Sequence, residues 1–309
     1  MDLRQLGALV AVADHGSFSA AARALFTVQS NVSAHVAHLE RELGVELIDR
    51  SRGRPTVEGE LVVARARRIQ RELEGVAADL SALVDEIQGE ARIGVIGTTA
   101  RWLVPQLLQA VRDVHPRIRA VVVEASTTSL VPQLVAGQLD LAVVNLPVDD
   151  PELDTVPLFD EDLVLLTTLE HPLASYDEVH LEDLAAHPLL LTPLGTALRD
   201  DLEAEATRRG VRLVALAEID GARLLTSLAF EGFGAAIVPS TAVPGWLKGD
   251  FTRVPLVGFP ARHVGLARRK RAFVSPPARA VGRVLLDVIA DRGPRQRGVR
   301  VATPRTNNA

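Results

Sequence analysis

Residues 17–50 read SFSAAARALFTVQSNVSAHVAHLERELGVELIDR, and this stretch decides the fold of the N-terminal part of the chain. Ser17 or Ser19 can cap a short helix over residues 20–25, whose alanines allow close approach of another helix. After a turn at residues 26–28, the spacing of apolar residues predicts a second helix over residues 28–43. Its inward side chains are predicted to be Val32, Val36, Leu39 and Leu43, and Gly44 is predicted to end it.

The second of these helices carries polar side chains outside its apolar stripe. Together with a preceding helix near residues 3–13, the pattern indicates two short helices joined by a tight turn, as in proteins that read DNA. Glutamine can pair with adenine N6 and N7, and serine or asparagine can reach base edges or phosphates. The alternative is three amphipathic helices that pack on another part of the protein. The residues outside the stripe are Gln29, Asn31, Ser33, Ala34, His35 and His38.

A hairpin is predicted next, with short strands near residues 46–50 and 55–57 and an Arg-Gly-Arg turn between them. Arg52 and Arg54 at its tip suit a phosphate backbone or a minor groove. A solvated turn is the alternative for such a hairpin taken alone. A helix-turn-helix directly before it favours a wing.

The whole stretch resembles the N-terminal domain of LysR-type transcriptional regulators. Residues that match the family pattern are Ala21, Ala22, Leu25, Gln29, Ser30, Val32, Ser33, Leu39, Glu40, Leu43, Gly44, Leu47 and Arg50. Val28 departs from the usual Ser or Thr and could touch a thymine methyl, and Ala34 stands where Arg or Lys is common. The resemblance implies that Gln29, Ser30 and Ser33 face DNA. We predict a DNA-binding domain over residues 1–58, with DNA-contacting residues Ser19, Val28, Gln29, Ser30, Asn31, Ser33, His35, Arg52 and Arg54.

A long helix is predicted over residues 59–89, where apolar residues alternate in steps of four and three. Such a narrow seam favours a coiled coil between two copies, and a helix packed on its own domain is the alternative. A dimer places two reading helices on one DNA face, which predicts a partly palindromic operator in double-stranded DNA. The resemblance implies this homodimer and also a tetramer built as a dimer of dimers. The predicted dimerisation residues are Val62, Ile69, Leu73, Val76, Leu80 and Leu83.

The larger C-terminal part alternates strands and helices, which predicts a parallel α/β sheet in two lobes joined by two crossovers. We predict an effector domain over residues 90–292, with lobe I at 90–161 and 266–292 and lobe II at 162–265. Residues 293–309 are predicted to be a disordered tail. The segments GVIGTTARWLVPQLL, GQLDLAVV and AFEGFGAAIVP resemble the periplasmic-binding-protein-like effector domain of LysR regulators.

Polar loops follow several predicted strands and point to a ligand cleft between the lobes, since open α/β sheets bind ligands beyond the carboxyl ends of their strands. We predict a small-molecule effector, in particular a carboxylate, because helix N-termini favour anions. The alternative is that these Ser and Thr residues only cap helices. The predicted effector-binding residues are Thr98, Thr99, Ala100, Thr128, Asn145, Thr196 and Asp220.

The composition of the chain and the motifs it lacks exclude several classes of function. The chain is 47% hydrophobic and 24% charged, with a net charge of −5 and no cysteine, which indicates a globular protein without disulfides or thiolate sites. It shows no signal peptide and no apolar run of about 20 residues, so we expect a cytoplasmic protein that does not enter the membrane. Phosphate-loop and serine-elbow motifs are missing, and the histidines at 35 and 38 lack a third ligand.

The sequence therefore predicts an effector-modulated transcription regulator that is not an enzyme and needs no metal or cofactor. Two alternatives stay open. One is an α/β enzyme or small-molecule sensor whose N-terminal helices serve assembly only. The other is a regulator that binds DNA constitutively and has a vestigial effector cleft.

Overall fold

The computed structural model describes residues 1–82, 87–243, 245, 247–270 and 274–302. The N-terminal domain contains three helices and a two-stranded hairpin, followed by one long helix. Their bounds are α1 Leu3–His15, α2 Phe18–Ala24, α3 Gln29–Leu43, β1 Ile48–Asp49, β2 Arg54–Pro55 and α4 Val57–Ala82. The predicted winged helix-turn-helix is confirmed.

Helix ends in this domain follow from local hydrogen bonds. The Ser17 hydroxyl accepts from the Ala20 N–H, so α2 begins at residue 18, two residues earlier than predicted. Gly44 ends α3 in the left-handed conformation as predicted. Val32, Val36 and Leu39 are buried in the domain core. The predicted inward position of Leu43 is wrong, because its side chain is 39% exposed in the last turn of α3.

The linker helix α4 begins at residue 57, and its first turns pack on the DNA-binding domain. Val63 and Ala66 are buried in the core of that domain, and Val62 packs partly against it. Ile69, Leu73 and Val76 are exposed. The predicted dimer seam therefore divides into a part used within the chain and a part open to a partner, while residue 83 lies outside the described residues.

Two adjacent arginines of α4 contact different domains. Arg67 forms an ion pair with Asp14 at the end of α1. The guanidinium of Arg68 lies 2.9 Å from Glu152 and donates to the Val135 carbonyl at 2.6 Å, both in the C-terminal domain. The helix is thereby tied to both domains at one point.

The C-terminal domain has two lobes. The first part of lobe I contains β3 Gly89–Val95, α5 Gly97–Val114, β4 Ile118–Glu124, α6 Thr127–Val135, β5 Leu141–Asn145 and β6 Leu153–Glu161. Lobe II contains β7 Leu163–Thr168, α7 Leu181–Leu184, β8 Leu189–Leu191, α8 Ala197–Arg209, β9 Ala215–Glu218, α9 Ala222–Phe230, β10 Ala235–Pro239 and β11 Phe251–Pro255. The chain returns to lobe I with β12 Arg262–Arg269, α10 Pro276–Arg292 and β13 Val299–Val301.

Each lobe is built on one sheet with helices packed on it. The strand order is β13-β6-β12-β5-β3-β4 in lobe I and β11-β7-β10-β8-β9 in lobe II. The sheets are mixed and not purely parallel as predicted, because β12 pairs antiparallel with both β5 and β6, and β7 pairs antiparallel with β10 and β11. The two strands that follow the crossovers run against their neighbours, which alternation of strands and helices does not predict.

The C-terminal segment adds a strand to lobe I. Residues 299–301 pair with β6 at the edge of the sheet. The predicted start of a disordered tail at residue 293 is therefore wrong as far as residue 302. No helix in the described ranges is long and apolar enough to span a membrane.

Candidate DNA interface and effector cleft

The N-terminal turn of α3 presents the polar side chains that the sequence singled out. Gln29, Ser30 and Asn31 are exposed, whereas Ser33 and His35 are half-buried one turn further along the helix. No acidic residue lies in this first turn, so the positive end of the helix dipole faces outward without a carboxylate. This surface suits an anionic duplex.

Hydrogen bonds determine which atoms of the Gln29 and Asn31 side-chain amides remain free to bind another molecule. The Ser19 hydroxyl donates to Gln29 Oε1 at 2.9 Å, and Asn31 Nδ2 donates to the Thr27 hydroxyl at 3.1 Å. These bonds leave Gln29 Nε2 as a donor and Asn31 Oδ1 as an acceptor. An adenine edge offers the complementary acceptor at N7 and donor at N6. Ser19 thus orients the Gln29 side chain.

The hairpin is built around Asp49. Its carboxylate accepts from the Ser51 hydroxyl at 2.6 Å and from the backbone N–H groups of Ser51 and Arg52. The Ser51 hydroxyl and the two backbone N–H groups, together with the charge of Arg52, hold the pKa of Asp49 below its usual value. Gly53 has a positive φ of 64°, and a Cβ there would lie 2.3 Å from the Gly16 carbonyl oxygen, so only glycine lets the hairpin dock at the end of α1.

The hairpin packs against the end of α1 with the side chains of Arg52 and Arg54 on the surface. Arg52 and Arg54 are both exposed beside the α1–α2 junction. Arg50 is also exposed, but its guanidinium contacts its own domain, 5.6 Å from the centre of the Phe18 ring and 3.0 Å from the Glu40 carboxylate. The hairpin therefore offers two cations to a ligand and uses the third within the domain.

A small cleft with a cavity volume of about 40 Å³ lies where the crossover strands meet lobe II, and we call it the interlobe cleft. Of the predicted effector residues, Asn145 lines it at the end of β5. Asn145 Oδ1 is buried and has no hydrogen-bond partner among the described residues. The full lining is Asn145, Leu146, Leu163, Ala197, Leu198, Asp201, Phe259, Pro260, Ala261, Arg262 and His263.

The predicted threonines of lobe I lie in the first turn of α5 behind this cleft. Thr98 and Thr99 are both buried. The Thr99 hydroxyl accepts from Arg262 Nη2 at 3.4 Å, which joins α5 to the cleft lining. The Thr98 hydroxyl, like Arg262 Nε, has no partner within the described residues. A buried polar group without a partner costs about 1–3 kcal/mol, so this region is suited to a ligand that supplies the missing bonds.

A buried ion pair that the sequence analysis missed supports the cleft. Glu161 at the end of β6 is fully buried and pairs with Arg262 at the start of β12. Its other oxygen accepts from the Thr241 N–H in lobe II at 2.8 Å. The carboxylate thus ties together both crossovers and lobe II, while its charge offsets that of the arginine.

The remaining predicted effector residues lie apart from the cleft lining. Thr128 is exposed and its hydroxyl lies 2.8 Å from that of Ser126. The Thr196 hydroxyl lies 3.0 Å from the Thr192 hydroxyl and 2.8 Å from the Pro193 carbonyl, and it makes no capping hydrogen bond to α8. Ala100 is buried, and Asp220 is exposed before α9.

Two family models match the chain. One, described as "Bacterial regulatory helix-turn-helix protein, lysR family", covers residues 3–60. The other, "LysR substrate binding domain", covers residues 85–290. Together they span both domains described above.

Curated relatives and solved structures agree with these models. The chain is 37% identical over 246 residues to a probable hydrogen peroxide-inducible genes activator of Streptomyces viridosporus, covering 78% of each chain. It is 33% identical to the protein of that name from Mycobacterium leprae, covering 92% of this chain and 93% of the relative. Full-length OxyR from Pseudomonas aeruginosa, a variant with a cysteine replaced by aspartate, superimposes with a TM-score of 0.73 at 27% identity, covering 94% and 97%.

Proposed function

Because the chain belongs to the LysR family of bacterial helix-turn-helix regulators, we propose that it binds a specific operator through α3 and the hairpin and releases or bends it when an effector occupies the interlobe cleft. The observation that carries this proposal is the exposed amide pair Gln29 and Asn31, oriented by Ser19 and Thr27. The protein acts in the cytoplasm, where its DNA lies, and is a regulator and not an enzyme.

The proposed assembly is a homodimer through α4, with a tetramer as a dimer of dimers. The exposed apolar residues Ile69, Leu73 and Val76 support it, since they continue one face of the helix beyond the part that packs on its own domain. Two copies place their α3 helices about one DNA turn apart, which matches a partly palindromic operator.

Replacing Gln29 with alanine tests the DNA-reading surface. We expect operator affinity to fall by about 10-fold, since the loss of the Gln29 Nε2 donor leaves a base-edge acceptor unsatisfied at a cost of about 1–3 kcal/mol, while affinity for random DNA stays within about twofold. The measurement is a fluorescence-anisotropy titration with the upstream intergenic DNA and with random competitor. Gln106→Ala, an exposed glutamine of α5, is the matched control. Equal loss on both DNAs, or no loss, contradicts the assignment.

The effector is proposed to be a small carboxylate that also carries a hydroxyl or amino group. The carboxylate accepts from Arg262 Nε, and the second group donates to Asn145 Oδ1, so that two unpartnered atoms of residues that line the cleft gain a bond. Asp201 and the Glu161–Arg262 pair leave the region without excess positive charge. This balance favours a ligand with both a donor and an acceptor.

Several relatives carry the name hydrogen peroxide-inducible genes activator, which makes peroxide a second candidate signal. Peroxide reversibly oxidises a protein mainly at cysteine thiolates, and this chain contains no cysteine. We therefore propose that a reversibly bound ligand, and not oxidation of a thiol, is the signal here. A gel shift with and without hydrogen peroxide under the same conditions separates the two, and a peroxide-dependent shift overturns this part of the proposal.

Asn145→Leu provides the test of the cleft. The substitution keeps the approximate size of a side chain that lines the cleft and removes its amide, so we expect about 10-fold weaker binding of the carboxylate that the wild-type protein prefers. Isothermal titration calorimetry against a panel of simple, hydroxy and amino carboxylates measures it. Thr207→Val, on the exposed side of α8, is the control. A panel without any binder removes the carboxylate proposal.

A further inference from the structure

The turn between α2 and α3 holds an aromatic residue in a position that usually takes glycine. Phe26 has a φ of 52° and is the one non-glycine residue with positive φ in the part of the chain that the structure describes. A bulky side chain is disfavoured in this left-handed conformation. Its ring is nevertheless 98% exposed, so packing within this domain does not account for it.

Hydrogen bonds fix the turn in this conformation. The Phe26 N–H donates to the Arg23 carbonyl at 3.2 Å, and the Thr27 N–H donates to the Ala22 carbonyl at 2.9 Å. This pair of bonds is the Schellman motif, in which the left-handed residue is most often glycine. The other two helices of the domain end in such glycines, Gly16 and Gly44. Phe26 therefore carries a structural cost without an internal contact in return.

The position of Phe26 suggests what covers the ring. It lies two residues before the exposed Val28 and three before Gln29, so the apolar surface continues directly into the proposed reading surface. The Thr27–Asn31 hydrogen bond ties the turn to the first turn of α3. Any duplex that α3 reads with these amides passes beside the turn.

We propose that Phe26 is a DNA-contacting residue whose ring packs against deoxyribose and thymine methyl groups at the edge of the groove that α3 reads. The inference rests on the proposed function. An apolar contact of this kind adds affinity without releasing a phosphate counterion. It therefore differs from the contacts of Arg52 and Arg54 in its dependence on salt.

The test compares Phe26→Ala and Phe26→Gly with the wild-type protein on the upstream intergenic DNA at four salt concentrations. We expect both variants to bind about 10-fold more weakly, with an unchanged slope of log affinity against log salt. Arg52→Ala is expected to reduce that slope by about one instead. Phe26→Gly should also raise the melting temperature, since glycine suits the left-handed turn. If Phe26→Gly binds DNA more weakly but melts at a higher temperature, the loss of affinity comes from a lost DNA contact and not from a destabilised fold.

Phe233→Ala, another exposed phenylalanine but in the C-terminal domain, is the control and should bind as the wild type does. Unchanged affinity in both Phe26 variants overturns the inference. A change in sedimentation with unchanged affinity also overturns it, because the ring then covers a contact between copies. Failure of the wild-type protein to prefer its upstream DNA contradicts the proposed function itself, which distinguishes the two failures.

Discussion

Glu161→Ala is expected to destabilise the C-terminal domain by about 3–5 kcal/mol, the usual cost of removing one partner from a buried ion pair. Glu161 is fully buried, and its removal leaves Arg262 without its counterion and the Thr241 N–H without its acceptor. Urea unfolding followed by tryptophan fluorescence measures the effect. Both tryptophans of the chain, at positions 102 and 246, fall within the stretch of sequence that the effector-domain family model matches, and the DNA-binding domain has none, so the signal reports the C-terminal domain.

Two further variants at this pair give the prediction its control. The double variant Glu161→Leu with Arg262→Met replaces the ion pair by apolar side chains and should recover much of the lost stability. Glu161→Gln keeps an acceptor for the Thr241 N–H and should fall between the wild type and alanine. A loss below about 1 kcal/mol in Glu161→Ala means that the pair does not carry the junction of the lobes.

Glu40→Ala is expected to cost the DNA-binding domain about 2–4 kcal/mol. The Glu40 carboxylate accepts from the backbone N–H groups of Leu47 and Ile48 at 2.9 and 3.2 Å and from Arg50 at 3.0 Å. Leu47 and Ile48 are buried, so alanine leaves their N–H groups unsatisfied away from water. The hairpin then loses its attachment to α3, and DNA binding falls on operator and random DNA alike.

Hydrogen exchange followed by mass spectrometry measures this effect, since the N-terminal domain has no tryptophan. We expect faster exchange across residues 29–56 and an unchanged tryptophan unfolding transition for the C-terminal domain. Glu42→Ala lies on the same helix, where the carboxylate pairs with the chain N-terminus at the surface, and should exchange as the wild type does. Equal exchange in the two variants contradicts the structural role of Glu40.

Local patterns predicted most of the secondary structure and the DNA-reading surface. Helix α3 was predictable because its spaced apolar residues, its polar face and its terminal glycine all indicate the same helix within sixteen residues. The exposure of Leu43 was missed because the helical spacing of apolar residues does not show how far along α3 the core of the domain extends. The antiparallel pairing of β12 was missed because it depends on where a crossover returns the chain.

The predicted effector residues meet the interlobe cleft only in part. A rule about strand ends was enough to single out Asn145, which lines the cleft, and Thr99, whose hydroxyl contacts Arg262 of the lining. Arg262 and Glu161 are separated by 101 residues, and no spacing pattern pairs two residues so far apart. Phe26 was not singled out from the sequence because its unusual feature is its left-handed backbone conformation. A positive φ can be predicted from the sequence only where glycine occupies the position.

The adjacent arginines of α4, Arg67 and Arg68, connect this helix to both domains, so a movement of one domain is transmitted to the other through α4. Arg67 pairs with the DNA-binding domain and Arg68 pairs with lobe I, so one turn of α4 contacts both domains. With a helix radius of about 5–6 Å including side chains, a sideways shift of about 2 Å at Arg68 turns α4 by about 20° around its axis. In a dimer assembled through α4 as proposed above, such a rotation of α4 changes the separation of the two α3 helices, and with it the operator spacing that the dimer fits.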